Sequence, residues 1–311
     1  MKVSVVIAVY QGESTIERAL ESVFSQRLED DFEVIVLDDG STDATAEILG
    51  RYADRLTVIR QPNAGAGAAR NAGVAHARGD YLAFLDADDL WLEGKLEATA
   101  GVLDNRPEVV LVYSDGLSVD ANGAVISQSF VPPEMAHAPA MGELLRRWWP
   151  ILPSAVVMRR RAFVECGGFC PELRAYEDPD LWMRVRALGE FFFAPHPFIS
   201  YRTMPIDQRM ERYERYYPLF IRRVLERHGR DARPLVRATR RAYATAFGYK
   251  GLGAMRAGDR RLARRSFIRA LSYAPFGLRN TMRLIRTFLP GRLSRALTGR
   301  SRLAEPAAPR G

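Results

Sequence analysis

The stretch "YLAFLDADDLW" (Tyr81–Trp91) sets five apolar or aromatic residues directly ahead of three carboxylates, Asp86, Asp88 and Asp89. Such a run reads as a buried strand, so the acids stand at its carboxyl end. Asp86 and Asp88 are two apart and in extended chain project the same way. Neighbouring carboxylates resist joint ionisation. Either one of them keeps a proton or something positive sits between them, and two hard oxygen ligands facing a pocket suit Mg²⁺ or Mn²⁺.

Toward the N-terminus, "KVSVVIAVY" (2–10), "FEVIVLDDGSTD" (32–43) and "LTVIRQ" (56–61) are further strand-like runs. Helical patterns separate them: "STIERALESVFSQ" (14–26), "ATAEILGRYA" (44–53) and the small-residue "AGAARNAGVAHARG" (66–79). Ser14 is predicted as N-cap of the first, with Glu17 completing a capping box. This alternation predicts a mostly parallel, doubly wound α/β sheet. Ligands of such sheets bind beyond the carboxyl ends of the strands. Tyr10, Asp38, Asp39, Asp86 and Asp88 all fall there.

Past residue 108 the pattern changes. "VVLVYSDGLSVDANGAVI" (109–126) reads as a hairpin turning at Asn122-Gly123. "EDPDLWMRVRALG" (177–189) reads as a helix and "EFFFAPHPFISYR" (190–202) as one or two strands. Beyond Met204 the chain is helical in pattern, and "AMRAGDRRLARRSFIRALSYAPF" (254–276) reads as a helical hairpin. The expected division is an α/β domain over 1–204 and a basic helical region over 205–311.

Charge divides the chain at nearly the same place. Residues 1–200 hold 18 Lys/Arg against 30 Asp/Glu, whereas 201–311 hold 27 against 7. The basic part therefore prefers an anionic partner. Two cysteines, Cys166 and Cys170, make no disulfide framework. No apolar run is long enough to span a membrane, and the first ten residues read as a strand rather than a leader; a cytoplasmic setting is expected. The four histidines are scattered and form no ligand set.

Two motifs are ambiguous on their own. "GAGAARNAG" (65–73) fails as a dinucleotide fingerprint, because Arg70 takes the third glycine position. Arg70 can pair bidentately with a phosphate or balance the acidic cluster. Glu177, Asp178 and Asp180 open a helix, where its dipole alone favours acids. "RRWW" (146–149) fits an aromatic platform for an acceptor or ordinary core packing.

Taken together, "VSVVIAVYQGESTIERALESVFSQ", "VIVLDDGSTDAT", "NAGAGAARNAGVAHARGDYLAFLDADD", "GGF" and "YEDPDLWMRV" resemble the family 2 glycosyltransferases with a GT-A fold, over about residues 2–202. The resemblance implies an inverting, metal-dependent transfer of one sugar from a nucleotide-sugar donor to a sugar or lipid-linked acceptor. It implies that Tyr10 stacks on the base, Asp39 contacts it, and Arg70 lies near base and phosphates. Asp86 and Asp88 would serve ribose and metal, and Asp178 would be the general base. Here "YRTMP" lacks the His that many relatives carry after "YR", and "DQRMERY" only partly echoes the motif of processive members. The rival reading is a non-catalytic sugar-nucleotide-binding or scaffold protein acting through its basic helices.

"LRNTMRLIRTFLPGRLSRALTGR" (278–300) mixes Leu, Ile and Phe with Arg at helical spacing. It fits an anionic membrane surface, which would place the protein peripherally on the inner face of the membrane, or a helix packed on its own neighbours with a solvated arginine face. No nucleic-acid-binding motif accompanies the charge.

Overall fold

The computed structural model describes residues 2–28, 31–203, 206–275 and 278–288. The first elements alternate as expected: β1 (Val3–Val9), α1 (Ile16–Phe24), β2 (Phe32–Asp38), α2 (Thr45–Gly50), β3 (Thr57–Arg60), α3 (Ala66–Val74) and β4 (Tyr81–Asp86). Next come β5 (Leu90–Trp91), α4 (Lys95–Asn105), β6 (Val109–Val119), β7 (Val125–Ser127), α5 (Met141–Leu144), β8 (Val156–Arg159), α6 (Arg160–Glu165), α7 (Glu177–Arg186) and β9 (Glu190–Arg202). Four helices follow: α8 (Ile206–His228), α9 (Arg233–Arg256), α10 (Arg260–Tyr273) and α11 (Leu278–Arg286).

The strands form one sheet in the order β3-β2-β1-β4-β8-β6-β9-β5, with β7 on β6. β1 pairs in parallel with both β2 and β4, and β2 with β3. β4 meets β8 antiparallel, and β6 runs parallel to the long β9. The sheet is mixed, with its β3-β2-β1-β4 half wholly parallel. The hairpin turns where expected, with Gly123 at φ +84°.

Both faces of β1 are covered, which is why its sequence is apolar at every position but Ser4 and not alternating. Val3, Val5 and Ile7 join Ile16, Leu20 and Val23 of α1 in one core cluster. On the opposite face α3 lies very close: a Cβ at Gly73 would stand 2.6 Å from Val6 and 2.8 Å from Leu37. The small residues of "AGAARNAG" serve that close approach.

One local expectation fails. α1 begins at Ile16 with Thr15 as N-cap, and no side chain caps it. Ile16 N–H instead bonds the Gly12 carbonyl, and Glu17 lies 3.9 Å from Arg51. The tight turn at Gly12 supplies the first helical bonds, so the capping box never forms.

The described residues divide into two compact units, those within 1–144 and 149–229, and those within 145–148 and from 230 to 288. The change in composition at 204 thus precedes the change in packing by one helix, since α8 belongs with the sheet. In the second unit, α9 and α10 form the expected hairpin, turning at Gly258 (φ +82°) with Asp259 accepting from Leu262 N–H at 2.8 Å. Ala254, Ala263 and Phe267 are its core.

Candidate active site

A cavity of about 500 Å³ opens at the carboxyl ends of β1 and β4. Tyr10, Arg70, Asp86, Asp88 and Asp178 all line it, so five of the six side chains expected from sequence converge. Tyr10 follows β1 and is 55% exposed, its ring open to a stacking partner. Asp86 ends β4; Asp88 follows in the turn.

Asp39 is placed differently. It is buried and does not line the cavity. Its carboxylate accepts from Gln61 Nε2 at 2.8 Å, Ala64 N–H at 2.9 Å and Gly65 N–H at 2.8 Å. It therefore closes the loop that leads into α3. Asp38 also turns away, accepting from Ser41 N–H at 2.8 Å with Arg60 at 3.4 Å.

Arg70 is buried beneath the acids. It donates to Asp86 through a short ion pair and lies 3.6 Å from Glu177. Burial works against its charge, but Asp86 and Glu177 outweigh that and its pKa rises. Asn71, its neighbour, exchanges two 2.8 Å hydrogen bonds with the backbone of Phe169. A Cβ at Gly168 would come within 2.6 Å of the Asn71 amide oxygen, and Gly168 has φ +69°. The motifs "ARN" and "GGF" are thus the two halves of one contact.

The acids respond to confinement in different ways. Asp88 keeps surface open to the cavity, yet the walls around it withdraw bulk water; that loss, then the Asp86 charge, holds its pKa up at about 6. Asp178 is pushed well above the ordinary carboxylate value by burial, then by Glu177, with Arg70 opposing. Asp89 is also raised, first by burial, then by Asp86 and Asp88. Asp89 points away from the cavity, accepting from the Ser154 hydroxyl at 2.5 Å and Arg202 N–H at 2.9 Å.

Several residues that position the site were not singled out from sequence. The turn Pro153–Ala155 forms part of the wall, and side chains from "DDLWLEGK" hold it from beneath. Trp91 Nε1 donates to the Ser154 carbonyl at 3.0 Å, and Lys95 Nζ to the Ala155 carbonyl at 2.9 Å. From α8, Arg212 and Tyr213 also line the cavity. Arg212 donates to the Arg174 carbonyl and lies 4.0 Å from Glu177. Tyr213 meets Tyr176 edge-on at 4.8 Å, and Phe220 stacks on Tyr176 at 4.8 Å. Tyr176 needs this support, since it holds φ +69° just before Glu177 and Asp178. One signal was available: the aromatic cluster Tyr213, Tyr216, Tyr217 and Phe220 within the first helical pattern after the last strand.

Trp149 of "RRWW" is core. Its indole N–H donates to the Tyr113 hydroxyl at 2.9 Å, and it does not line the cavity.

The donor set suits a hard divalent cation that keeps positions for a ligand. Asp86 and Asp88 both face the cavity, and among the described residues no group of three or more His, Cys, Asp or Glu side chains forms a metal cage. One or two carboxylates with the rest left to substrate is the mode Mg²⁺ favours.

A family model described as Glycosyl transferase family 2 matches residues 4–167. Over 240 residues the chain is 27% identical to an uncharacterised glycosyltransferase of Rickettsia typhi, covering 71% of this chain and 72% of that one. Over 97 residues it is 52% identical to the succinoglycan biosynthesis protein ExoW of Rhizobium meliloti, covering 29% of this chain and 30% of that protein. The crystal structure of S. aureus TarS 1–349 in complex with UDP superposes with a TM-score of 0.62 at 20% identity, over 92% of this chain and 90% of that one. At that identity the likeness concerns the fold alone.

Proposed function

The chain belongs to glycosyl transferase family 2 and is a glycosyltransferase of GT-A fold; from that premise we propose that it transfers a single sugar, with inversion, from a nucleoside-diphosphate sugar to an acceptor hydroxyl. The observation that carries this reading is the convergence of Tyr10, Arg70, Asp86, Asp88 and Asp178 on one cavity.

In this reading Tyr10 offers its open face to the nucleobase. Asp39, turned away from the cavity, serves only to fix the loop that leads into α3. Arg70 holds Asp86 in place and brings a buried positive charge toward the diphosphate. Asp86 and Asp88 would hold Mg²⁺ or Mn²⁺, which when bound supplies Lewis-acid stabilisation of the departing diphosphate. Asp178 takes the acceptor proton, and its raised pKa makes it a stronger base than a solvated carboxylate. In-line attack opposite the leaving group inverts the anomeric carbon.

TarS was solved with UDP, which supports a uridine donor as the first to test, and the likeness to ExoW, named for succinoglycan biosynthesis, supports a role in polysaccharide assembly; the acceptor in this reading is a sugar or a lipid-linked sugar. Such an acceptor suits peripheral work at the inner face of the membrane; no described helix is long and apolar enough to cross one. A thermal-shift screen of UDP-, dTDP- and GDP-sugars with and without Mn²⁺ tests donor and metal together. A Mn²⁺-dependent shift with one nucleotide is expected. No response to any would sink the reading.

A further inference from the structure

The second unit carries a feature that sugar transfer does not require. Its residues 230–288 hold 15 Lys/Arg against two Asp/Glu, and one of those acids, Asp259, is committed to capping α10. Within this basic unit α11 has two apolar sides. Leu284 turns inward and packs on the Ala254, Ala263 and Phe267 core. Met282, Ile285 and Phe288, spaced three apart, stay 52%, 48% and 62% exposed. Scattered exposed apolar residues need no explanation, but a stripe of large ones does.

One arginine adjoins the stripe. Arg264 lies over the Phe288 ring at 4.1 Å and donates to the Thr287 carbonyl at 2.9 Å, fixing the aromatic beside a guanidinium. On α10, Ile268 is 57% exposed, three residues from the exposed Arg265 and seven from the exposed Arg261. Exposed apolar side chains on so basic a unit match one surface in particular, where anionic headgroups overlie acyl chains.

We infer that the exposed Met282 and Ile285 of α11, with Phe288 just beyond its end, dock on an anionic lipid surface, the exposed arginines of this basic unit meeting the headgroups. The described part of the basic stretch ends at Phe288; residues 289–300 lie outside the described residues. The inference deepens the reading of a membrane-borne acceptor. It is tested without donor or acceptor, so its failure leaves the transferase reading standing.

The experiment is flotation of the full chain with vesicles of phosphatidylcholine alone or with 30 mol% phosphatidylglycerol, as order-of-magnitude conditions (~30%) for an anionic leaflet. Wild type should float with the anionic vesicles only, and less so in high salt. Met282→Ser/Ile285→Ser should cut binding about tenfold, and Arg261→Glu/Arg265→Glu should do the same while both variants keep the wild-type circular dichroism. Wild type that ignores phosphatidylglycerol overturns the inference. So does binding that survives the Ser pair, which would be charge alone, or a wild-type dimer that the Ser pair splits without any vesicle binding, which would make a second copy the occupant.

Discussion

Asp89 accepts a 2.5 Å hydrogen bond from the Ser154 hydroxyl, whose oxygen in turn accepts from Asp86 N–H at 3.1 Å. One buried hydroxyl thus links the strand end bearing Asp86 to the turn that walls the cavity. Ser154→Ala leaves the Asp89 carboxylate short of a donor where water cannot replace it. Stability should fall by about 1–3 kcal/mol in urea titration. Turnover should fall about tenfold as Asp86 loosens, while unchanged kinetics would mean that the turn is held by its backbone alone.

Lys95 has no exposed surface, and burial brings its pKa down to about 7. The unfolded chain, with a lysine pKa of about 10.4, binds that proton more readily. The native state is therefore penalised most below about pH 7, and the penalty fades as pH rises toward 10. The unfolding free energy of wild type relative to Lys95→Met should increase across that window. A flat difference would show an ammonium that is solvated after all.

Asp178→Asn should retain the fold and lose about 10²–10⁴ of turnover, the span of general-base catalysis. Because its folded pKa is raised by burial and then by Glu177, with Arg70 and Asp86 also facing it, the acid limb of the rate profile should lie above the ordinary carboxylate range. Glu177→Gln should move that limb to lower pH. A limb that stays put would assign the titration to another group.

Asp88→Asn should weaken Mn²⁺ binding in a donor-dependent titration, and chelation by EDTA should abolish transfer until the cation is restored. Full activity in EDTA would remove the cation from the proposal while leaving the fold untouched.

Asp180 is fully buried and serves three guanidiniums: Arg184 at 2.8 Å, Arg223 at 3.2 Å and Arg227 at 3.4 Å. Burial alone would raise its pKa, but the hydrogen bond from Arg223 and the three charges bring it below the ordinary value. Asp180→Asn would leave three cations facing one another and should cost about 3–5 kcal/mol, read as a lower melting temperature. An unchanged melt would mean that solvent already screens the cluster.

Much of this molecule could be read from short windows of sequence. The strands β1, β2 and β4, the small-residue helix α3 and the hairpin at Gly123 follow from periodicity and turn chemistry, which act over a few residues. Local order also put Tyr10, Asp86 and Asp88 at strand ends, where the cavity opens. What no window contains is the partner of each polar side chain. Asp39 sits at the predicted edge, but its orientation was decided by backbone N–H groups 25 and 26 residues onward. Asn71 meets Phe169 across 98 residues, and Ser154 reaches Asp89 across 65. Burial can be inferred from a residue's own chemistry and its near neighbours. Hydrogen-bond geometry depends on sheet order, which brings β4 beside β8 only once the whole chain has folded.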